Sequence, residues 1–234
     1  MDGVYYFYKY RVAFVSPFFN GVFMIEDFEA WEAFPKHREW FNKLWFSERL
    51  GYECGPSGVA PKKSKYYVVR PIYNLSGMGV GAEFKYIAAD DYTQVPPGYF
   101  WQEIFLGNHY SATYEFVHDT NPYWKPISCF EGSRLGNELW KFTGWKRCSY
   151  FPPVPRVFNE LSEIKRINVE FKGDKPIEVH LRDTPDPDYD EFIPIWMGDE
   201  NAIKEYEDEG FVYIESYDNA NGFLETPRLG FMIR

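Results

Sequence analysis

The residues that could do chemistry lie mainly in the middle of this 234-residue sequence. Residues 76–81 read Ser-Gly-Met-Gly-Val-Gly, with three glycines at alternate positions. Such a loop lets backbone N–H groups turn toward an anion without Cβ clashes, and phosphate is the obvious ligand. Residues 82–87 alternate like a strand, and no Gly-Lys-Ser/Thr is present, which argues against a dinucleotide-binding helix and a P-loop. The alternative is a flexible hairpin turn.

A second group of polar residues lies in residues 167–181, which predict a β-hairpin turning at 173–175. Residue 170 then pairs with 178 and residue 168 with 180, so Asn168, Glu170, Glu178 and His180 share one face. Two carboxylates and an imidazole on one face suit a Mg²⁺ site that bridges nucleotide phosphates, because hard cations take oxygen ligands and keep several waters. The alternative is the solvated face of a half-buried hairpin.

The elements that position these residues are predicted from hydrophobic spacing and turn residues. Apolar residues at helical spacing predict two helices within 26–49 that meet at Pro35, a third at 153–164 and a short one near 201–208. Strands are predicted at 4–16, 66–71, 82–88, 98–106, 110–118 and 211–215. Because most strands are joined by short turns, the sheets are predicted to be mainly antiparallel and the fold class to be α+β.

Charge and cysteine content limit the partners and the compartment. Lys and Arg number 25 against 35 Asp and Glu, a net charge of -10 that repels duplex nucleic acid. Cys54, Cys129 and Cys148 have no C-x-x-C spacing, so we expect packing thiols in a reducing cytoplasm. The most apolar stretch, residues 4–23, is broken by charged residues and proline, and Asp2 spoils the start of a signal peptide. We therefore expect a soluble, unprocessed cytoplasmic protein without membrane association.

Aromatic residues are unusually frequent, with 22 Phe, 19 Tyr and 8 Trp. They predict a core built largely from rings. An aromatic excess can also mark a surface that stacks on glycans or single-stranded nucleic acid. The rings here fall within predicted strands and helices rather than in one exposed series, which favours the core. A binding module for glycans or single strands remains an alternative.

One further motif precedes the glycine-rich loop and two follow it. Arg70-Pro71 precedes it, residues 102–111 read Gln-Glu-Ile-Phe-Leu-Gly-Asn-His-Tyr-Ser, and residues 177–182 read Ile-Glu-Val-His-Leu-Arg. Together they resemble the ATP-grasp superfamily, whose pattern is a Lys-Pro strand end, a glycine-rich loop over the phosphates, an adenine-hinge strand and a metal-binding Glu-x-Asn-x-Arg. The resemblance covers roughly residues 36–183.

The resemblance implies a domain organisation. Two small lobes of mainly antiparallel sheet with packed helices, at about 36–101 and 102–197, would hold a nucleotide between them. Residues 1–35 would form an N-terminal strand and helix, and residues 198–234 an extension packed on the same unit. The sequence would thus be a minimal, divergent member that lacks the usual N-terminal substrate domain.

The resemblance also implies roles for individual residues. Lys43 and Arg70 would contact phosphates and Arg182 would steady the transferred phosphoryl group, and these three are the implied catalytic residues. Glu170, Glu178 and His180 would hold the metal. The other implied nucleotide contacts belong to the loop that closes on ATP, the hinge that reads adenine and a ribose-binding position: Gly77, Met78, Gly79, Val80, Gly81, Gln102, Glu103, Ile104, Phe105 and His109.

The implied activity is that of an ATP-dependent ligase that joins a carboxylate to an amine or related nucleophile through an acyl phosphate. The implied cofactors are ATP and Mg²⁺, with Mn²⁺ as an alternative, and the substrate would be a small molecule or a peptide end. Arg70 stands where the family has lysine, and His180 where it has asparagine. These departures leave a second hypothesis, a catalytically degenerate relative that binds nucleotide or serves a structural role.

Overall fold

The computed structural model describes residues 26–136 and 138–234, so the strand predicted at 4–16 lies outside the described residues. The described chain forms two antiparallel sheets with a few short helices. This architecture confirms the predicted α+β class. The two sheets face each other across a cleft lined by residues of both.

The smaller sheet has four strands, in the order β1–β4–β2–β3. Their bounds are β1 Cys54–Pro56, β2 Lys65–Pro71, β3 Glu83–Ile87 and β4 Tyr99–Gln102. Tyr67, Val69 and Trp101 lie on one face and form a small aromatic core. Because side chains alternate along a strand, Arg70 and Gln102 point from the opposite face into the cleft.

The larger sheet has eight strands, in the order β11–β12–β10–β7–β6–β5–β8–β9. Their bounds are β5 His109–Val117, β6 Tyr123–Arg134, β7 Phe142–Arg147, β8 Arg166–Lys172, β9 Lys175–His180, β10 Glu191–Trp196, β11 Val212–Asp218 and β12 Arg228–Ile233. Strands predicted at 98–106 and 110–118 do not pair with each other. β4 and β5 instead belong to different sheets, and residues 103–108 connect them.

The β8–β9 hairpin has the predicted register over its functional part. Glu170 pairs with Glu178 and Asn168 with His180, and a bulge follows between Glu170 and Phe171. The apolar face of this hairpin packs into the main core with Tyr114 and the helices. Burying that face leaves the polar face turned toward the cleft.

The helices lie at the N-terminal side of the described chain and near its end. They are α1 Asp27–Ala33, a 3₁₀ helix Pro35–Phe41, α2 Lys43–Arg49 and α3 Ala202–Asp208. The predicted break at Pro35 is confirmed, since α1 ends at Ala33 and Pro35 opens the 3₁₀ helix. Among the described residues, no helix combines the length and apolar character that crossing a membrane requires.

The helix predicted at 153–164 is wrong in type and length. The structure has only a 3₁₀ helix at Arg156–Leu161. Pro152, Pro153 and Pro155 lack N–H donors and fix φ, so regular hydrogen bonding cannot begin before Arg156. Phe158 and Leu161 nevertheless reach the core, as their spacing predicts.

Candidate functional site

A cleft between the two sheets gathers most of the predicted site residues. It encloses about 100 Å³ of free space. This volume is smaller than that of a typical small-molecule binding site. The predicted residues that line it are Lys43, Arg70, Gly79, Val80, Gln102, Glu103, Ile104, Phe105, His109, Glu170 and Glu178.

Lys43 enters the cleft from the start of α2. Asn42 caps this helix by accepting a hydrogen bond from the Trp45 N–H at 2.9 Å. The Lys43 N–H donates to the Ile72 carbonyl, which ties the helix start to the end of β2. The Lys43 ammonium lies 2.8 Å from Glu178 Oε1, with both side chains largely buried. The ion pair with Glu178 therefore fixes the Lys43 ammonium at the wall of the cleft.

Arg70 is held in place rather than left free. Its guanidinium donates to Gln102 Oε1 at 2.8 Å and to the Ile177 carbonyl at 2.9 Å. The Ser47 hydroxyl lies 3.1 Å from the same Gln102 oxygen. Arg70 Nε is buried and has no hydrogen-bond partner among the described residues. Gln102 therefore positions Arg70, whereas its predicted contact with adenine stays a prediction.

The predicted hinge occupies the connection between the two sheets. Glu103 pairs with Glu53 through its backbone N–H and accepts a hydrogen bond from the Glu53 N–H through its side chain. The backbone groups of Ile104 and Phe105 make no hydrogen bond to another described residue. Phe105 packs edge-on against Tyr52, with ring centroids 4.6 Å apart. Free amide groups beside a fixed ring are what the edge of a planar base requires.

The glycine-rich loop divides between two cavities. Gly79 and Val80 line the cleft, whereas Gly77 and Met78 line a second cavity beyond it. Gly77, Met78, Gly79 and Gly81 all have positive φ, between 57° and 80°. At Gly81 an added Cβ would lie 2.9 Å from the Tyr99 hydroxyl, so glycine is needed there for both conformation and space.

His109 contacts Glu170 in the floor of the cleft. Its Nε2 lies 3.2 Å from Glu170 Oε2, and its ring packs edge-on against Phe142 and Trp145. Burial lowers the pKa of His109, so the ring is neutral at pH 7. Its buried Nδ1 has no partner among the described residues. That nitrogen can accept a hydrogen bond from a ligand hydroxyl, which suits the predicted ribose contact.

His180 and Arg182 both contact Asp27. His180 Nδ1 and Arg182 Nε lie 2.9 Å and 2.8 Å from the buried Asp27 carboxylate. Burial alone would lower the pKa of His180, but the charge and hydrogen bond of Asp27 raise it to about 10. His180 Nε2 lies 3.8 Å from Glu170 Oε1 and 4.0 Å from Glu178 Oε1. The role of His180 as a metal ligand stays a prediction, and both side chains line the second cavity.

The two carboxylates alone fit a metal that arrives with a nucleotide. Among the described residues, no group of three His, Cys, Asp or Glu side chains is placed to hold a metal ion. Mg²⁺ needs only one or two protein carboxylates when phosphates and water complete its shell. Glu170 and Glu178 face each other on the hairpin. Burial opposes ionisation of Glu170, yet hydrogen bonds from His109 and His180 and the positive charge of His180 hold its pKa well below the usual range.

The sequence analysis did not single out three charged residues that line the two cavities. Arg134, at the end of β6, and Lys172, at the end of β8, both line the cleft and make no ion pair with another described residue. Burial lowers the pKa of each, as expected for cations without a carboxylate partner. Asp27 is the third. A search for basic residues at the ends of predicted strands would have found Lys172. No feature of the neighbouring sequence indicates that Asp27 contacts His180 and Arg182.

Comparison with known proteins finds distant structural similarity. No protein-family model and no curated protein matches the sequence. Among solved structures, the chain is similar to a proposed ATP-grasp superfamily protein from Archaeoglobus fulgidus, at 18% identity and a TM-score of 0.36, covering 63% of this chain and 47% of that one. It is also similar to N5-carboxyaminoimidazole synthetase from Staphylococcus aureus complexed with ADP, at 11% identity and a TM-score of 0.49, covering 82% and 66%.

This chain therefore spans between about half and two thirds of the length of the two solved proteins. Both TM-scores lie below 0.5, so the function is inferred from the residues of the cleft.

Proposed function

We propose that the chain is an ATP-dependent ligase that activates a carboxylate as an acyl phosphate and passes it to an amine or related nucleophile. One observation supports this most strongly. Four cations, two opposed carboxylates, Gly79 and Val80 of the glycine-rich loop, and Ile104 and Phe105 with their free backbone groups line one cleft. The cations are Lys43, Arg70, Arg134 and Lys172. This arrangement suits a nucleotide whose base lies at residues 103–105 and whose phosphates lie near Glu170 and Glu178.

In the proposed reaction, a substrate carboxylate oxygen attacks the γ-phosphorus of ATP while the bond to the bridging oxygen breaks and ADP leaves. The amine nitrogen then bonds to the acyl carbon, and inorganic phosphate leaves with the electron pair of the broken C–O bond. Lys43 and Arg70 stabilise the negative charge that develops on the phosphates. The glycine-rich loop excludes water from the acyl phosphate. Removing one such charge contact should slow turnover on the order of a hundredfold.

Glu170 and Glu178 would hold Mg²⁺ together with the nucleotide phosphates. When bound, the ion supplies neutralisation of phosphate charge. The two carboxylates and their cationic neighbours remain the protein's own contribution. Glu178 keeps Lys43 in place, and Glu170 keeps His109 in place. Arg182 lies in the second cavity against Asp27, so it would act through that network rather than by direct phosphate contact.

A second candidate function is nucleotide binding without catalysis. The observation that favours it is that, among the described residues, no group of three His, Cys, Asp or Glu side chains is placed to hold a metal ion. In that case ATP binds through Lys43, Arg134 and Lys172, and no phosphoryl transfer follows. The two candidates differ in their need for a divalent ion and in turnover.

The experiment that tests the proposal is a thermal melt of the full chain with ATP, with ATP and Mg²⁺, and with neither. Ligand at about a hundred times its dissociation constant adds roughly 2.7 kcal/mol, worth about 5 °C or more in a chain of this size. A shift that needs Mg²⁺, followed by ADP release with a carboxylate and an amine, supports the ligase. A shift with ATP alone favours the non-catalytic binder. No shift at millimolar ATP rejects both.

A further inference from the structure

The second cavity is larger than the nucleotide cleft and adjoins it. It has a volume of about 650 Å³, and Glu170 lines both spaces. Its walls come from strands of the larger sheet, from the start of α1 and from the chain around Asp186. This volume is in the range of small-molecule binding sites. The cavity therefore has room for an organic molecule beside the carboxylate end of the nucleotide cleft.

Aromatic rings form one side of this cavity. Trp140 and Trp196 pack edge to face, at 80° and with ring centroids 5.1 Å apart. Phe142, Trp145 and Phe231 extend the same lining. Trp196 is fixed further by its indole N–H, which donates to the Phe142 carbonyl at 3.0 Å. An aromatic lining favours organic cations, whose charge interacts with the faces of the rings.

The cationic side chains that line the cavity already form ion pairs with carboxylates. His180 and Arg182 share Asp27, and Arg228 lies 3.5 Å from Asp218. Arg228 also lies over the Phe231 ring, with its guanidinium carbon 4.3 Å from the centroid. An anionic ligand would have to compete with these carboxylates for its contacts.

Several carboxylates that line the same cavity form no such ion pair with a described residue. Asp186, Glu26 and Glu29 make no ion pair with another described residue. Asp186 is bonded only to the Thr184 hydroxyl, at 3.2 Å. Burial raises the pKa of Asp186, although Arg228 and Arg182 oppose this. A carboxylate in that position gains from a cation placed beside it.

We propose that this second cavity binds an organic amine as its cation, between its aromatic lining and Asp186, and that this amine is the nucleophile of the ligase. The binding site is inferred from the cavity itself, whereas the role as nucleophile rests on the proposed function. The bound ammonium releases a proton to water at the cavity mouth. The neutral nitrogen then forms the C–N bond at the acyl phosphate near Glu170 as the C–O bond to phosphate breaks.

The test uses butylammonium as the probe and butyrate as the anion of equal chain length. Each is titrated into the full chain and followed by ligand-observed NMR. Butylammonium should bind and butyrate should bind at least roughly tenfold more weakly. Asp186→Asn and Trp140→Leu should each weaken butylammonium binding by roughly three- to tenfold. Matched controls are Asp208→Asn, an exposed carboxylate in α3, and Tyr86→Leu, an exposed ring in β3, which should change nothing.

Butyrate binding as tight as butylammonium binding overturns the proposal, and this comparison needs no variant to fold. Equal effects of the cavity variants and their controls overturn it as well. The melt with ATP and Mg²⁺ is run on the same samples. If butylammonium binds but ATP does not raise the melting temperature, the ligase is rejected and the cation site is kept. If ATP raises the melting temperature but butylammonium binds no more tightly than butyrate, the cation site is rejected and the ligase is kept.

Discussion

Lys43 and Glu178 form an ion pair of 2.8 Å that joins the first turn of α2 to the middle of β9. The Lys43 side chain is 7% exposed and that of Glu178 14%. Removing one partner leaves the other charge buried without compensation, which costs about 3–5 kcal/mol. The pair thus contributes to stability as well as to the site.

The first prediction concerns this pair. Lys43→Met and Glu178→Gln should each lower the free energy of unfolding, and the double variant should lose clearly less than the sum of the two. Urea unfolding of the four proteins measures the coupling. Strict additivity would show that the two side chains do not interact in solution.

The second prediction concerns pH and Asp27. The pKa of His180 is raised to about 10, so its stabilising effect is complete below about pH 6.5 and is lost as pH rises through 10. Asp27→Asn removes the cause of that shift. Between pH 6 and pH 10 the unfolding free energy of the unmodified protein should therefore fall more steeply than that of Asp27→Asn. Urea titrations at several pH values give both curves, and parallel curves would contradict the assignment.

The third prediction concerns the glycine-rich loop. Gly81 has φ of +80°, and an added Cβ would meet the Tyr99 hydroxyl and Pro71. Gly58 has φ of +81° but open space around it, so Gly58→Ala is the matched control for backbone strain alone. Gly81→Ala should weaken ATP binding roughly tenfold because it displaces the loop, whereas Gly58→Ala should not. Equal ATP affinities in calorimetric titrations of the two variants would separate the loop from nucleotide binding.

The fourth prediction concerns Arg134 and Lys172. Arg134→Met and Lys172→Met should each weaken ATP binding by roughly tenfold and leave adenosine binding nearly unchanged, because only the phosphates carry charge. Lys204→Met, which removes an exposed cation from α3, is the control. Competition titrations with ATP and adenosine measure the ratio. A similar loss for both ligands would place these residues away from the phosphates.

The hairpin register and the walls of the cleft could be predicted from local sequence patterns. Strict alternation over residues 167–171 and 177–181 set the Glu170–Glu178 register, because a slip by one residue would bury both carboxylates. The glycines and the strand-like segments beside them located the walls of the cleft. The predicted nucleotide contacts at Lys43 and Phe105 therefore lie in one space.

Long-range pairing was not visible in the same way. β10 lies between β7 and β12, whose residues are remote from it in sequence, and no turn signal connects them. β6 was missed although it pairs with β5, since Pro126 interrupts its pattern. The role of His180 depends on Asp27, which is 153 residues away in the chain. Such a distant partner, which orients the imidazole and raises its pKa, leaves no local signal in the sequence.

One short segment borders both ligand spaces. Gly79 and Val80 lie against the nucleotide cleft, and Gly77 and Met78 lie against the larger aromatic cavity. Ser76 at its start accepts a hydrogen bond from Asn221, so the C-terminal part of the chain holds the same segment. Residues 76–81 thus form part of the wall of both cavities. If the nucleotide and the amine bind as proposed, a movement of these six residues that admits one ligand changes the wall that holds the other.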